Sequence, residues 1–235
     1  MQKTKETIEQ ICDESDVFEG LLDLNHSHIL ELGCGKAMLT RKIAEGGPNR
    51  KVTASEVDRI QHGKNLEIDD LPNVTFIQAG AQSIPLSDQC VDGVFMFKSL
   101  HHVPEDSIQQ VFPEIHRVLK PGGFAYISEP LFAGEYNDLL RLFHDEEEAR
   151  DRAFHAIRNA VENGSFRTEQ QVFFKNKRVF DNWEDFDRQL IHATYCDHQL
   201  PEALYNQVKI RFEAHLGPQG AVFFPPNRVD LLRKV

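Results

Sequence analysis

The sequence has few cysteines, no long hydrophobic run and no excess of positive charge. Its four cysteines (Cys12, Cys34, Cys90 and Cys196) include no CxxC pair, which argues against a disulfide or zinc framework and favours reduced thiols in the cytoplasm. No apolar stretch approaches the ~18–20 residues of a membrane span, and the polar first ten residues lack the apolar core of a secretion signal. We therefore expect a cytoplasmic protein with no membrane contact.

Acidic residues outnumber basic ones. The 235 residues include 37 Asp and Glu against 26 Lys and Arg, which gives a formal net charge of −11. Such a charge repels phosphate backbones, so we expect no nucleic-acid partner. With 40% hydrophobic and 27% charged residues, the composition is that of a folded globular protein that is large enough to bury a core.

Short apolar runs alternate with amphipathic stretches over the first 130 residues. The apolar runs predict five strands, at residues 28–32, 51–57, 73–78, 91–97 and 124–128. The stretches between them predict helices, several of which end at glycine or proline. Because strands and helices alternate at this spacing, we expect a parallel sheet with helices on both faces.

The pattern changes after Pro130, and we divide the chain into three parts. Residues 1–130 form the sheet core with an N-terminal helix, and residues 131–220 form a mostly helical insertion that acts as a substrate-binding lid. Residues 221–235 provide the closing strands. The insertion is expected over the carboxyl edge of the sheet, where ligands bind in open α/β folds. We interpret the acidic run at residues 145–148 as a solvated helix face.

A pair of glycines follows the first predicted strand. Gly33 and Gly35 allow a sharp turn in which a ligand can approach the backbone. Glu56 ends the second strand, where a carboxylate can accept hydrogen bonds from two ribose hydroxyls. Met38 occupies the position of the third glycine in the GxGxxG pattern, so the loop favours a nucleoside ligand without phosphates over a dinucleotide.

Several segments, in this order, resemble class I S-adenosylmethionine-dependent methyltransferases of the type called methyltransferase domain 11. They are residues 31–35 (ELGCG), Glu56, residues 79–86 (AGAQSIPL), Asp92, residues 100–103 (LHHV) and residues 119–123 (LKPGG). The resemblance covers about residues 28–130. It implies a Rossmann-like, doubly wound, mostly parallel seven-stranded α/β sheet with a mainly helical insertion after the fifth strand. It also implies S-adenosylmethionine as the cofactor, which leaves as S-adenosylhomocysteine.

The resemblance assigns cofactor binding to residues at the ends of the first four strands. These residues are Glu31, Gly33, Cys34, Gly35, Glu56, Val57, Gly80, Ala81, Gln82 and Phe97. The glycine loop and Glu31 would hold the methionine part, Phe97 would border it, and Glu56 would bind the ribose. The remaining residues would surround the adenine. The acidic residue that is usual after the third strand is replaced by Gly80, which leaves Gln82 as the expected partner of adenine N6.

Three residues at the same predicted edge are candidates for catalysis. Methyl transfer from a sulfonium requires the acceptor, the methyl group and the sulfur to be aligned, and a base is needed only if the acceptor keeps its proton. His101, His102 and Glu129 are candidates for this base, and Glu129 also for binding a cationic acceptor. The alternative is that both histidines cap a turn and that Glu129 is a hydrogen-bonded strand end.

The remaining histidines carry no clear signal for a site. His192, Tyr195 and His198 are candidates for the wall of an acceptor pocket, although a chance cluster is the simpler interpretation. The pairs His26/His28 and His192/His198 lack further ligands at zinc spacing, so we predict no metal.

These observations lead to one main hypothesis, a cytoplasmic enzyme that transfers a methyl group from S-adenosylmethionine to an O or N atom of a small-molecule acceptor. One alternative is a methyltransferase-like nucleoside-binding module without turnover, for which Gly80 is the hint. Another is an NAD-dependent oxidoreductase, against which Met38 argues. The sequence does not name the acceptor, and the oligomeric state is left open, with a homodimer through the insertion compatible with it.

Overall fold

The computed structural model describes residues 1–192 and 198–235. Its strands are β1 (His28–Leu32), β2 (Lys51–Glu56), β3 (Val74–Gln78), β4 (Val91–Phe97), β5 (Leu119–Pro130), β6 (Phe166–Lys175), β7 (Arg178–Phe180), β8 (Leu216–Gly217), β9 (Gly220–Phe223) and β10 (Pro226–Lys234). Its helices are α1 (Glu14–Leu21), α2 (Met38–Glu45), α3 (Arg59–Asn65), α4 (Ile108–Val118), α5 (Glu135–Leu140), α6 (Glu147–Glu162), α7 (Trp183–Phe186) and α8 (Glu202–Glu213). Across these two ranges, no helix is long and apolar enough to cross a membrane.

Seven strands form one sheet in the order β3-β2-β1-β4-β5-β10-β6. The first five strands in this order, β3, β2, β1, β4 and β5, are parallel to one another. The strand β10 is antiparallel to both β5 and β6. The predicted seven-stranded, mostly parallel, Rossmann-like sheet is therefore confirmed. The strand order reverses between β1 and β4, which places a ligand crevice outside the carboxyl ends of these two strands.

The segment after β5 contains more strand than we predicted. The strand β6 lies within the predicted insertion, yet it forms the edge of the main sheet through antiparallel pairing with β10. The strands β7, β8 and β9 form a second, three-stranded sheet. Only β10 of the expected closing strands therefore joins the main sheet. Such pairings join residues that are far apart in the sequence, so local hydrophobic patterns do not reveal them.

The two faces of the main sheet are covered by different helices. Along β1, Leu30 and Leu32 point to a core that includes residues of α4 and α6, whereas Ile29 points to a core that includes residues of α1 and α2. This alternation follows from the two-residue period of a strand. A third cluster lies in the later part of the chain, where Phe186 and Phe212 pack among residues of α5, α7, α8 and β9. The covering segment, residues 131–165 and 176–225 within the described ranges, therefore has an apolar core of its own.

A substitution at Gly93 tests the packing of the central strands. A Cβ atom at Gly93 in β4 would lie 2.1 Å from the Cζ atom of Phe124 in β5. We expect Gly93→Ala to lower the free energy of unfolding by about 1–3 kcal/mol, because a buried ring has to move. In α3, a Cβ atom at Gly63 meets nothing within 4 Å, so Gly63→Ala should be neutral or stabilising by up to about 1 kcal/mol. Urea denaturation measures both, and equal midpoints for the two variants would contradict this account.

Candidate active site

The glycine loop between β1 and α2 is held close to the turn after β4. Gly33 and Gly35 have positive φ angles of 76° and 52°, which glycine adopts without strain. Ala37 also has a positive φ angle, of 59°. A Cβ atom at Gly33 would lie 2.7 Å from the Cβ atom of Ser99, whereas a Cβ atom at Gly35 would meet nothing within 4 Å. Gly33 is therefore required by packing inside the protein, and Gly35 leaves open space beside the loop.

Glu56 at the end of β2 is directed at this loop. Its Oε2 atom accepts a hydrogen bond from the N–H of Gly35 at 2.8 Å, and its Oε1 atom accepts from the N–H groups of Val57 and Asp58. The side chain is only 8% exposed. The carboxylate is therefore bonded to the loop and withdrawn from the solvent, and its expected role of binding a ribose stays a prediction.

Glu31 is a buried acid beneath the same loop. One carboxyl oxygen accepts a hydrogen bond from the hydroxyl of Thr40 at 2.6 Å. Burial raises the pKa of Glu31 to about 8, and the charge of Glu56 adds to this effect although the bond from Thr40 opposes it. No cation pairs with Glu31 among the residues that the structure describes, and its expected role beside the ammonium group of the methionine part stays a prediction.

Asn65 is a loop-binding residue that the sequence analysis missed. It ends α3, is 1% exposed, and donates from Nδ2 to the carbonyl of Gly35 at 2.8 Å. The same amide lies 3.5 Å from the thiol of Cys34. Nothing in the local sequence marks this asparagine, because its role depends on how α3 packs against the loop. It fixes the carbonyl of Gly35, so Asn65 shapes the predicted cofactor loop without being part of it.

The other predicted cofactor residues lie in different surroundings. Val57 is 61% exposed, whereas Ala81 is buried in the core. The side chain of Gln82 folds back on its own loop, where a Cβ atom at Gly80 would lie 2.4 Å from its Oε1 atom. Phe97 packs in an aromatic cluster of α1, β4 and β5, with its ring 5.9 Å from that of Phe18. The cofactor roles of these residues stay predictions.

The two histidines and Glu129 meet at the carboxyl ends of β4 and β5. The sequence analysis predicted that all three lie at this edge of the sheet. The Nδ1 atom of His101 is hydrogen-bonded to Oε2 of Glu129, and Oε1 of Glu129 accepts from the N–H of Leu100 at 3.0 Å. Both side chains are 3% exposed. His102 lies against His101, with ring centroids 4.0 Å apart. Proximity alone does not establish a part in catalysis, so the catalytic roles of these three residues stay predictions.

Glu146, immediately before α6, extends this chain of charges. Its Oε1 atom lies 3.4 Å from Nε2 of His101 and 2.9 Å from Nε2 of His144, and its Oε2 atom accepts from Arg150 at 2.6 Å. The side chain is 12% exposed, so our interpretation of the acidic run at 145–148 as a solvated face is wrong at this position. The spacing of Glu146 and Arg150, four residues apart, was the available signal.

The two carboxylates hold His101 in its charged form. Burial alone would lower the pKa of His101, but Glu129 and Glu146 outweigh it and raise the pKa to about 9. The pKa values of both carboxyl groups lie below their usual range, because their bonds to His101 exceed the effect of burial. Partial desolvation and the charge of His101 lower the pKa of His102, although its side chain is 61% exposed. At neutral pH the site therefore combines an imidazolium at His101 with a neutral imidazole at His102.

A cavity of about 190 Å³ adjoins this cluster. His101, His102, His144 and Glu146 line one part of it. Tyr136 and other residues of the covering segment line much of the rest, together with Lys98 after β4 and Asn227 in β10. His198 also lines this cavity, although the sequence analysis favoured a chance cluster, whereas Tyr195 lies outside the described residues. His192 is described but does not line it.

His101, His102 and Glu146 also bring possible metal ligands within 4.8 Å of one another. The carboxylate of Glu146 already bonds to Arg150 and His144, and His101 bonds to Glu129. The absence of a metal stays a prediction.

The sheet, the glycine loop and the acid after β2 define a Rossmann-like α/β protein with a candidate ligand site at the carboxyl edge. Residues 29–123 match the family model described as a methyltransferase domain. This match supports the resemblance of this region to class I S-adenosylmethionine-dependent methyltransferases that was found in the sequence. S-adenosylmethionine is the cofactor that this family uses.

Relatives match about half of this chain. An uncharacterized methyltransferase of Mycobacterium tuberculosis is 31% identical over 108 residues, which are 46% of this chain and 42% of that protein. The ubiquinone/menaquinone biosynthesis C-methyltransferase UbiE of Hahella chejuensis is 31% identical over 122 residues, 50% of this chain and 47% of that one. The chain therefore spans about half the length of the curated relatives that it matches.

The fold extends beyond the matched domain. A solved structure of a candidate methyltransferase from Bacillus halodurans superposes with a TM-score of 0.62 at 17% identity, covering 91% of this chain and 94% of that one. At this identity the likeness concerns the fold alone.

The buried acid Glu31 leads to a pH-dependent binding prediction. A carboxyl with a pKa of about 8 is mostly protonated at neutral pH, and an ammonium group beside it favours ionisation. We therefore expect S-adenosylhomocysteine to release a proton on binding and to bind more tightly as the pH rises from about 6 to 7.5. Calorimetry in two buffers of different ionisation enthalpy measures this release. In the Glu31→Gln variant, the affinity for S-adenosylhomocysteine should lose this dependence on pH. If the pH dependence is unchanged in the variant, Glu31 does not lie beside the ammonium group.

Proposed function

We propose that this chain transfers the methyl group of S-adenosylmethionine to an O or N atom of a small-molecule acceptor. The observation that carries the proposal is the position of two sites at the carboxyl edge of one sheet. The glycine loop and Glu56 follow β1 and β2, whereas the histidine cluster and its cavity follow β4 and β5. A nucleoside cofactor on one side and an acceptor in the cavity would meet at the point where the strand order reverses.

The cofactor, when bound, supplies an electrophilic methyl group on a sulfonium. Residues 33–35 would hold its methionine part, with Glu31 near the ammonium group and Glu56 on the ribose hydroxyls. The acidic pair suits a ligand that carries positive charge, because burial makes an unpaired carboxylate costly. The remaining cofactor residues of the sequence analysis belong to the proposal in the roles given there.

His102 is the proposed proton acceptor of the three catalytic candidates. It lines the cavity, and its lowered pKa leaves it neutral at physiological pH. His101 cannot take a proton until the pH nears its own pKa of about 9. His101 and Glu129 therefore act as positioning residues, which fix the charge and the ring orientation beside His102.

The covering segment has a second role, which is to enclose the acceptor. Its residues form much of the cavity wall. Glu146 connects it to the sheet edge through His101, at 3.4 Å, and Arg150 holds Glu146 in place by donating to it at 2.6 Å. Excluding water in this way strengthens electrostatic interactions and limits hydrolysis. A cytoplasmic location and a homodimer are part of the proposal as sequence-based expectations.

Substitution of Glu56 tests the cofactor site. We expect Glu56→Ala to weaken the binding of S-adenosylhomocysteine by about 1–3 kcal/mol, because the ribose hydroxyls lose an ionised partner. The exposed Glu67 provides the control, and Glu67→Ala should bind like the unaltered protein. Isothermal calorimetry gives both constants. Absence of binding to the unaltered protein at high micromolar concentration would remove the proposed function.

Substitution of His102 tests the chemical step. With methyl-labelled S-adenosylmethionine and a metabolite extract, we expect His102→Ala to lower label transfer about 10²-fold or more without changing the affinity for S-adenosylhomocysteine. The exposed His155 gives the matched control His155→Ala. The rate of the unaltered protein should fall with acid, with a midpoint below the usual histidine value of 6.5. Cofactor binding without any label transfer would instead support a binding module without turnover.

A further inference from the structure

Two cationic side chains line the cavity without an acidic partner. Among the described residues, Lys98 and Arg178 make no side-chain hydrogen bond and no ion pair within 4.0 Å, although both border the cavity. Arg150, which lines the same cavity, is by contrast bonded to Glu146 and Asn137. In a chain with a net charge of −11, a cavity with two unpaired cations is a local reversal of the overall charge.

The guanidinium of Arg178 is held in place by aromatic rings. Its carbon lies 5.6 Å from the ring centroid of Tyr136 and 5.2 Å from that of Phe180, distances at which a cation is attracted to a ring face. The Nε atom of Arg178 is buried and has no hydrogen-bond partner in the described part of the chain. A buried donor left unpaired costs free energy, and the cost is removed when a ligand accepts from it.

Lys98 lies close enough to Arg178 for the two charges to repel. It follows β4 directly, with a left-handed φ of 52°, and its N–H donates to the carbonyl of Ser128. Burial first, and the charge of Arg178 as well, lower the pKa of Lys98. The charges of Glu14 and Glu129 oppose this effect, but in the described part of the chain neither forms an ion pair with Lys98 within 4.0 Å. Glu14 accepts from Tyr126 through Oε1 and leaves its buried Oε2 atom without a hydrogen-bond partner there, and Glu129 is bonded to His101.

Two asparagines add polar groups to the same wall. Asn227 is 1% exposed and donates from Nδ2 to Oδ1 of Asn176 at 2.7 Å. This bond uses the carbonyl oxygen of Asn176 and leaves its amide N–H groups as donors. The Oδ1 atom of Asn227 is buried without a hydrogen-bond partner within residues 1–192 and 198–235. These groups indicate a ligand that accepts several hydrogen bonds and also donates one.

We infer that the acceptor carries an anionic group, a carboxylate or a phosphate, which Arg178 and Lys98 bind away from the atom that is methylated. This inference rests on the proposed function and deepens it by naming the substrate class. The planar fork of an arginine matches both anions with two parallel hydrogen bonds. The anionic group anchors one end of the acceptor in the cavity, and the other end is presented to His102.

The binding experiment uses the protein saturated with S-adenosylhomocysteine. Thermal melting is followed in benzoate, in inorganic phosphate and in chloride at equal ionic strength, for the unaltered protein, Arg178→Gln and the exposed control Arg211→Gln. We expect benzoate or phosphate to raise the melting temperature of the unaltered protein and of Arg211→Gln, but not that of Arg178→Gln. The anion that stabilises identifies the source of the charge. Equal melting of all three proteins in all three salts would overturn the inference.

The transfer experiment measures the labelled product. We expect it to be retained on an anion exchanger at neutral pH, and Arg178→Gln to lower transfer about tenfold or more at low acceptor concentration, with recovery at high concentration. A neutral or cationic product would overturn the inference, and so would a tenfold loss of S-adenosylhomocysteine affinity in Arg178→Gln, since the cations would then serve the cofactor. Anion stabilisation without any label transfer would retain the anion site and remove the proposed methyl transfer.

Discussion

A buried chain of charges links the sheet to the segment that covers it. Glu129 and His101 belong to the sheet edge, Glu146 immediately precedes α6, and Arg150 in α6 closes the network. Burying two carboxylates is costly unless partners compensate for the lost water, and here the proton on His101 and the guanidinium of Arg150 provide that compensation. The wall of the cavity and the state of His102 both depend on this network, because it fixes where the covering segment meets the sheet.

The two sides of the crevice differ in charge. Beneath the glycine loop lie Glu31 and Glu56, which suit a cofactor with an ammonium and a sulfonium group. The cavity presents Lys98 and Arg178 instead, which suit an anionic acceptor. Opposite preferences reduce the chance that either ligand occupies the wrong side, because each would meet like charge there. The strongly acidic surface of the chain does not predict this division, since the cations are local.

The main sheet could be predicted where the sequence is locally periodic. The runs at 28–32 and 91–97 coincide with β1 and β4, because a strand buried on both faces reads as an apolar run bounded by turns. The strand β6 was not assigned to the sheet, since it has mostly exposed or half-buried residues at its start and its partner β10 follows about 50 residues later. Residues 221–223 were expected to help close the main sheet, but they lie in β9, which pairs with β7 and β8 instead.

The sequence by itself determined the glycine loop, the acid after β2 and the histidine pair after β4. These features are encoded in short segments whose spacing follows from one strand and one turn. Only the tertiary structure decided that Glu146 completes the histidine network, that Asn65 fixes the loop, and that Arg178 reaches the cavity without an ion-pair partner among the described residues. Each of these depends on contacts between segments far apart in the chain, and on which charges are left unpaired once all the others have found partners.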